Sequence, residues 1–292
     1  FGNMISHKTT EGITANTYIK MMSHTAAVNI GVFFGITGRI ITTSSACTAG
    51  SQGIGYAFEA IQSGRQVAML AGGAEELDAI DAAVFDTLFA TSTVNDTPHL
   101  TPRPFDAKRD GLVLGEGACT LVLEELGHAQ ARGARSLGEI IGFGANSDGT
   151  HVTQPNARTM AQAMRLALDS AAVPPEAIGY VNAHGTATEH GDLAETNATA
   201  EVFGQRAPIS SIKSYMGHTL GACGALEAWM SLEMMRDGWF APTINLTEVD
   251  ARCGDLDYIG AGGRAIDTDL VMSNNFAFGG INTSLVLRRW QD

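Results

Sequence analysis

The sequence predicts a layered α/β protein rather than a barrel of β-hairpins. Short apolar segments of strand length alternate along the chain with longer stretches whose apolar residues recur at helical spacing. No long Pro- or Ser-rich linker and no low-complexity segment interrupts this alternation. The predicted strands are Ile40–Thr43, Val67–Ala71, Leu121–Leu123, Tyr180–Val181, Leu270–Ser273 and Leu285–Leu287, and the predicted helices are Ser51–Gln62, Ala157–Ala171, Asp192–Phe203 and Gly224–Arg236.

A turn that contains Cys47 lies between the predicted strand Ile40–Thr43 and the predicted helix Ser51–Gln62. Ile40–Thr43 is β-branched throughout, which favours a buried strand. Ser51–Gln62 has helical spacing and is followed by Gly64, a residue typical of helix ends. Cys47 precedes the helix, where unpaired backbone N–H groups and the helix dipole favour an anion. We therefore expect the pKa of the Cys47 thiol to be lowered.

The chain has four cysteines, and their contexts differ. None lies in a CxxC pair, and no histidine cluster has the spacing of metal ligands, so we expect no metal site. Cys119 falls on a strand pattern and Cys253 in a polar loop, as structural thiols do. A structural thiol is also an open interpretation of Cys47. The small residues around Cys47 leave room for a bulky substrate, which favours a nucleophile.

A second candidate segment ends the predicted strand Tyr180–Val181. His184 follows this strand, and Gly185 and two hydroxyl residues, Thr186 and Thr188, come next. A histidine at the end of a strand in an α/β protein is suitably placed for acid–base catalysis. A structural histidine fits this segment equally well.

A third segment places polar residues in apolar surroundings. Lys213 and His218 flank a turn, and Glu227 lies on the apolar helix that follows. Buried polar groups need partners, so we expect Lys213 and Glu227 to form an ion pair. A catalytic network and a purely structural pair both remain open. The later turn FAFGG, which contains Phe276 and Phe278, can present a backbone N–H but does not match a phosphate-binding loop.

Two pairs of short segments suggest an internal repeat. AFEA at 57–60 recurs as ALEA at 225–228, and GEGACTLVL at 115–123 resembles GGINTSLVL at 279–287. The separations are 168 and 164 residues, in the same order, although matches this short also arise by chance. A true repeat predicts two copies of one α/β unit with a site between them.

Composition limits the classes of function. The 292 residues are 45% hydrophobic and 17% charged, which predicts a sizeable core. No apolar run approaches the length of a membrane span and no secretory signal is evident, so we expect a cytoplasmic protein with no membrane partner. The net charge of −13 argues against nucleic acid as a partner, but it leaves room for a local basic patch that binds an acidic protein.

Taken together, six segments of the chain resemble the condensing enzymes of the thiolase superfamily, and most closely the elongating β-ketoacyl-[acyl-carrier-protein] synthases I and II. The resemblance implies an α/β thiolase-like fold of two pseudo-symmetric halves, layered α-β-α-β-α. It implies an N-terminal half at 1–145 and a C-terminal half at 146–292, with roughly the first quarter of the family's catalytic module absent from this sequence. The segments are SSACTAGSQGIG around Cys47, AGGAEE at 71–76, RPFDAKRDGLVLGEG at 103–117, NAHGTATEHGD at 182–192, IKSYMGHTLGACGALE at 212–227 and SNNFAFGGINTSLVL at 273–287.

The resemblance also implies a reaction and a set of roles. Cys47 would take an acyl group from acyl carrier protein, and His184 and His218 would complete the catalytic triad. The resulting acyl-enzyme would condense with malonyl-acyl carrier protein, which loses CO2 and gives a 3-oxoacyl product. No cofactor is implied, because both substrates arrive on the phosphopantetheine of acyl carrier protein. The other implied site residues are Lys213, paired with Glu227 and orienting His218; Phe278, which gates entry and with Cys47 supplies oxyanion-hole N–H groups; and Thr186, Thr188 and Phe276, which contact substrate.

Two features of these motifs narrow the prediction to a subfamily. The FAFGG turn lacks the second cysteine of thiolases, and His218 stands where initiating synthases have asparagine. The resemblance implies a homodimer with acyl carrier protein as partner, for which Lys20, Arg39 and Arg65 are candidate docking residues. The alternatives are a ketosynthase of a polyketide or specialised-lipid pathway and a non-catalytic truncated partner in a heterodimer.

Overall fold

The computed structural model describes residues 2–205 and 207–291. It contains two compact units, Phe1–Ser44 and Ser45–Asp292, and each is described by itself. The first unit is helical, and the second contains all the strands that the described residues form. The helices are α1 (Gly2–His7), α2 (Ala15–Ile19), α3 (Thr25–Phe34), α4 (Ala49–Gln62), α5 (Ala79–Thr87), α6 (Leu126–Ala131), α7 (Ala157–Ala171), α8 (Glu189–Phe203), α9 (Lys213–Met216) and α10 (Cys223–Asp237).

The strands of the second unit form one large sheet and two small ones. They are β1 (Ala68–Glu75), β2 (Gly117–Glu124), β3 (Gly138–Ser147), β4 (Tyr180–Asn182), β5 (Pro208–Ser210), β6 (Trp239–Phe240), β7 (Asp257–Tyr258), β8 (Arg264–Ala265), β9 (Leu270–Ala277) and β10 (Ile281–Arg289). The large sheet has the order β3-β10-β9-β4-β5-β7. In it β10 is antiparallel to β3 and β9, whereas β9, β4, β5 and β7 are parallel. β1 pairs with β2 and β6 with β8, both antiparallel.

Alternate residues of the central strands build two separate cores, because successive side chains of a strand point to opposite faces of its sheet. Val181 and Met272 pack with residues of α7 and α8 on one face. Tyr180 and Val271 pack with residues of α4 and α10 on the other, and this second core also reaches Leu121 of β2. Helices α4 and α10 therefore lie between the large sheet and the small sheet formed by β1 and β2. The resulting α-β-α-β order confirms the predicted layered α/β class, and the fifth layer of the predicted α-β-α-β-α order stays a prediction.

The predicted elements match the structure with one clear exception. The four predicted helices correspond to α4, α7, α8 and α10, and five of the predicted strands lie on β1, β2, β4, β9 and β10. The strand predicted at Ile40–Thr43 is wrong: no described residue pairs with it, and Ile40 is 47% exposed. A β-branched run forms a strand only where a neighbouring strand accepts its backbone hydrogen bonds. The predicted boundary between residues 145 and 146 falls within β3 and stays a prediction.

The two pairs of segments suggested as an internal repeat occupy corresponding places in the fold. A 3₁₀ turn at Ala46–Thr48 leads into α4, and a second at Leu220–Ala222 leads into α10. β2 and β10, which contain most of the second pair of segments, each pair antiparallel with the strand that precedes them in the chain. Helix α4 meets the second of these turns at a glycine: a Cβ on Gly50 would lie 2.9 Å from the carbonyl oxygen of Gly221. Only glycine allows this approach, which brings the two turns together.

Among the described residues, no helix combines the length and apolar character that a membrane span requires.

Candidate active site

Cys47 lies in the 3₁₀ turn that precedes α4 and is 5% exposed. The residue before it, Ala46, has φ 50°, in the left-handed region that costs a non-glycine residue about 1–2 kcal/mol. The buried hydroxyl of Thr48 donates to the carbonyl of Ser45 at 2.7 Å and closes the turn. The thiol of Cys223, at the start of α10, donates to the carbonyl oxygen of Cys47 at 3.3 Å. The strained turn is thus held by a hydrogen bond of its own and by one from the start of α10.

His218 is brought to Cys47 by a turn that follows α9. Gly217 has φ 74°, and a Cβ there would lie 2.8 Å from the carbonyl oxygen of Val113. The backbone N–H of His218 donates to that same oxygen at 2.7 Å, which fixes the turn against the GLVLGEG segment. The ring nitrogen Nε2 then lies 3.0 Å from the Cys47 sulfur. Nδ1 of His218 is buried and has no hydrogen-bond partner among the described residues.

His184 follows β4 and lies beside His218, with ring centroids 5.1 Å apart and the rings nearly perpendicular. The backbone N–H groups of His184 and Gly185 donate to the two carboxyl oxygens of Glu195, each at 2.7 Å. The ammonium of Lys213 donates to Nδ1 of His184 at 3.2 Å. Backbone and ring of His184 are therefore both fixed by buried charged or polar side chains.

The expected ion pair between Lys213 and Glu227 is present and fully buried. One expectation about it is wrong: the lysine contacts His184, and the structure shows no bond from it to His218. Lys213 is the first residue of α9, about one turn before His218. The Lys213 side chain reaches His184, which follows the end of β4. Lys213 can therefore orient His184 directly and act on His218 only through its field.

Burial controls the protonation of the three central groups. It raises the pKa of the Cys47 thiol to about 11, although Lys213 and the backbone N–H groups of Phe278 and Cys47 act in the opposite direction. Burial, and then the charge of Lys213, hold the pKa of both His184 and His218 well below the usual range. The expected lowering of the Cys47 pKa is therefore wrong, because desolvation of the thiolate outweighs the effect of the helix terminus. At neutral pH the site holds a thiol and two neutral imidazoles.

Phe278 lies in the turn between β9 and β10, at the edge of the site. Its backbone N–H and that of Cys47 both act on the Cys47 sulfur, so the two N–H groups predicted to bind an oxyanion converge on one place. Its ring stacks on Phe85, with centroids 5.8 Å apart and an interplanar angle of 27°. The next residue, Gly279, donates its N–H to the carbonyl of Val152 at 2.7 Å.

A cavity of about 450 Å³ opens onto these groups. Thr186 and Thr188 line it, with their hydroxyl oxygens 2.9 Å apart, whereas Lys213 and Glu227 lie behind its wall. Seven of the nine residues named from the sequence thus share one cavity, and the other two support it. The lining includes Cys47, His184, His218, Thr186, Thr188, Phe276 and Phe278.

Several residues that hold the site were not identified from the sequence. Glu195 and Asp192 each accept backbone hydrogen bonds from the turn after His184; Asp192 binds the N–H of Ala187 at 3.1 Å. Arg109 lies 3.5 Å from Asp192. Asn275 donates to Glu227 at 2.6 Å. Arg109, Asp192 and Glu195 lie in polar segments, and Asn275 follows a second asparagine, so the local sequence does not mark them as buried.

Two groups of side chains have donor atoms close enough to hold a metal ion. The atoms of Cys47, His184 and His218 lie within 4.8 Å of one another, and so do those of His184, Cys223 and Glu227. The same atoms already bind one another or Lys213, and the positive charge of Lys213 opposes a cation at either place. The geometry fits thiol and imidazole chemistry better than metal binding.

Comparisons with known proteins agree along most of the chain. Residues 2–129 match the family model for the β-ketoacyl synthase N-terminal domain, and residues 137–247 match that for the C-terminal domain. The chain is 42% identical over 277 residues to 3-oxoacyl-[acyl-carrier-protein] synthase 1 of Escherichia coli (strain K12), covering 94% of this chain and 67% of that protein. It spans about two thirds of that relative's length.

Solved structures are similar throughout the fold. A β-ketoacyl synthase from Burkholderia phymatum STM815 superposes with a TM-score of 0.98 and 65% identity, covering all of this chain and 71% of that one. A ketosynthase in the AntDE:AntF complex, a type II polyketide acyl-carrier protein bound to its ketosynthase, has a TM-score of 0.90 and 32% identity, covering 96% and 70% of the two chains. The chain belongs to the β-ketoacyl synthase family and has its thiolase-like fold.

Proposed function

We propose that this chain catalyses the decarboxylative condensation of an acyl group on Cys47 with malonyl-acyl carrier protein, giving 3-oxoacyl-acyl carrier protein in fatty acid elongation. The observation that carries the proposal is the 3.0 Å contact between the Cys47 sulfur and Nε2 of His218, beside His184 in one cavity. A thiol, a base and a second imidazole are the groups that acyl transfer and enolate formation both require.

In the first half-reaction the Cys47 sulfur attacks the acyl thioester. Because burial keeps Cys47 protonated, its proton moves to Nε2 of the neutral His218 as the sulfur–carbon bond forms. The N–H groups of Cys47 and Phe278 bind the oxyanion. The carrier thiolate then leaves and takes the proton from His218, so that the acyl-enzyme retains a neutral site.

In the second half-reaction the malonyl thioester loses CO2. The electrons of the broken carbon–carbon bond pass to the thioester oxygen, where Nε2–H of His184 and of His218 in its Nε2–H tautomer donate. The α-carbon of this enolate then attacks the acyl carbon on Cys47. The new carbon–carbon bond releases Cys47 as a thiolate, which takes one proton from solvent, so that one proton is consumed for each CO2 released. No cofactor takes part in this scheme.

The pathway and the partners are the finer parts of the proposal. Relatives named 3-oxoacyl-[acyl-carrier-protein] synthase 1 or 2 are 40–42% identical to the chain and support fatty acid elongation. A relative named as a polyketide β-ketoacyl synthase is also 42% identical, so the polyketide pathway is the second candidate. The AntDE:AntF structure contains a ketosynthase bound to its acyl-carrier protein, which supports such a carrier as the partner here. We extend the proposal to a cytoplasmic homodimer. The non-catalytic alternative is disfavoured by the close contact of Cys47 and His218.

The test is a comparison of the parent chain with Cys47→Ala. We expect intact-mass measurement to show one acyl group on the parent after incubation with acyl carrier proteins of several chain lengths, and none on the variant. Cys119→Ala is the matched control and should be acylated like the parent, because Cys119 lies on β2 outside the cavity. A parent that stays unmodified, or a Cys47→Ala chain that is still acylated, would contradict the proposal. Acyl groups of polyketide length taken in preference would favour the second pathway.

A further inference from the structure

A buried amide on β9 lies at the centre of the polar groups behind the cavity. Asn275 is fully buried, and its Nδ2 lies 2.6 Å from a Glu227 carboxyl oxygen, 3.5 Å from Nδ1 of His184 and 3.6 Å from the sulfur of Cys223. Its Oδ1 has no partner among the described residues. The nitrogen of this amide faces three possible acceptors for its two hydrogens, and the oxygen faces none, so these neighbours orient the amide.

The orientation of this amide follows from Glu227. One Glu227 oxygen accepts from Lys213, and the other accepts from Asn275. If Oδ1 took the place of Nδ2, two acceptor oxygens would lie 2.6 Å apart beside an ionised carboxylate. The NH2 group of Asn275 must therefore face Glu227 and, with it, the ring of His184.

This orientation leaves Nδ1 of His184 facing donors only. Lys213 lies 3.2 Å from it and the Asn275 amide 3.5 Å. A ring nitrogen that meets two donors is an acceptor, so the proton of the neutral imidazole is on Nε2. Neither Lys213 nor Asn275 lines the cavity, whereas His184 does, so Nε2 is the nitrogen left for the cavity.

We propose that Asn275 is a positioning residue: it holds Glu227 and the Nδ1 side of His184 so that His184 presents Nε2–H to the substrate oxygen. This rests on the proposed function, because the need for a donor arises in decarboxylation. Acyl transfer to Cys47 depends on His218 instead. Asn275 should therefore affect one half-reaction and leave the other.

The test uses the full chain with ¹⁵N-labelled histidine and the variant Asn275→Asp. The aspartate is the same size as the asparagine. Beside Glu227 it must carry a proton and donate it to that carboxylate, so the oxygen that replaces the NH2 group has only lone pairs left for Nδ1 of His184. Nδ1 then gains a partner for a proton. We expect the NMR signal of that nitrogen to change from the unprotonated to the protonated type. We expect decarboxylation of malonyl-acyl carrier protein to fall by roughly 100-fold, the effect of losing one donor to an oxyanion. Acylation of Cys47 should stay within about fivefold of the parent, since the groups around its sulfur are unchanged.

Two further variants keep the test decisive. Asn275→Leu removes the amide without adding charge, and a similar selective loss of decarboxylation is expected if the aspartate variant fails to fold. Ser231→Ala is the control: its buried hydroxyl has no partner among the described residues and lies on α10, one turn beyond Glu227. It should behave as the parent does.

An unprotonated Nδ1 in Asn275→Asp, with decarboxylation within threefold of the parent, would overturn the inference. So would an equal fall in both half-reactions, which indicates a purely structural role. If the parent neither acylates nor decarboxylates, the proposed function fails instead, and the histidine NMR signals still test the role of Asn275.

Discussion

The regions around His184 and His218 place similar imidazoles in different surroundings. Both rings are buried and neutral for the same reason, burial reinforced by Lys213. Nδ1 of His184 accepts a hydrogen bond from Lys213, and the backbone N–H of His184 donates to Glu195. Nδ1 of His218, in contrast, has no partner among the described residues. Only His218 contacts the Cys47 sulfur.

This difference explains how one site can perform two steps. A ring whose Nδ1 accepts from a fixed cation keeps one tautomer and serves as a constant hydrogen-bond donor. A ring whose Nδ1 has no fixed partner can gain and lose the Nε2 proton at lower cost. His184 is therefore suited to stabilise the enolate, and His218 is suited to exchange a proton with Cys47.

The largest effect is expected for Lys213→Met, which leaves Glu227 buried without its cation. Removing one partner of a buried pair costs about 3–5 kcal/mol in the free energy of unfolding, measurable by urea denaturation. The double variant with Glu227→Gln should recover much of this loss. In chains that remain folded, decarboxylation should fall more than acylation, because Lys213 contacts His184 and not His218. Equal losses in the two steps would contradict the assignment of Lys213 to His184.

The next effect separates the two histidines. His184→Ala should reduce decarboxylation of malonyl-acyl carrier protein by roughly 100- to 1,000-fold, since an oxyanion donor is lost. Acylation of Cys47, followed by intact mass in a single turnover, should remain close to the parent rate. His218→Ala should slow acylation as well, by roughly 100-fold or more, because the base for Cys47 is removed. If His184→Ala retained full decarboxylation, the division of roles would be wrong.

The third prediction concerns the reactivity of Cys47 without substrate. Because burial raises its pKa to about 11, the thiolate fraction should increase about tenfold per pH unit up to that pH. Alkylation by iodoacetamide, with the labelled cysteine identified by mass spectrometry, should therefore still accelerate between pH 8 and about pH 10. His218→Ala should show the same slope, since the neutral ring does not set the pKa. A plateau below about pH 9 would indicate a thiolate stabilised by the helix terminus instead.

The sequence allowed the layered α/β class to be predicted from alternating apolar segments. It also singled out Cys47, His184 and His218 as candidates, and the structure brings these three residues into one cavity. What the sequence missed depends on contacts between distant segments. The pKa of Cys47 follows from burial beneath β9 and α10, which no window around residue 47 contains. The strand at Ile40–Thr43 failed because pairing is not a local property.

The residues that hold the catalytic side chains in place show the same limit of prediction from local sequence. Lys213 and His218 are five residues apart in the sequence, which suggested that they interact, yet the turn directs them to different partners. Glu227 was found because a buried lysine requires an anion. Asn275 lies in the motif SNNFAFGG, where nothing in the spacing distinguishes it from Asn274. Its role depends on which face of β9 it occupies.

The smallest effect is expected for Glu195→Gln, at the side chain that accepts a hydrogen bond from the backbone of His184. Burial raises the pKa of Glu195 to about 8, so at neutral pH the carboxyl is protonated and glutamine matches its charge. Both oxygens of Glu195 accept backbone N–H bonds, however, and the NH2 group of glutamine replaces one of these acceptors by a donor. The free energy of unfolding should therefore fall by about 1–3 kcal/mol at pH 7, and decarboxylation should change by less than about tenfold. The pKa of Glu195 is about 8 in the folded chain and 4.5 ordinarily. Between pH 4.5 and about 8 the folded state therefore binds one proton more at this carboxyl than the unfolded state does. The parent should therefore lose stability relative to the variant as the pH rises from about 4.5 to about 8 in urea titrations, and a constant difference across that range would show that Glu195 is ionised when folded.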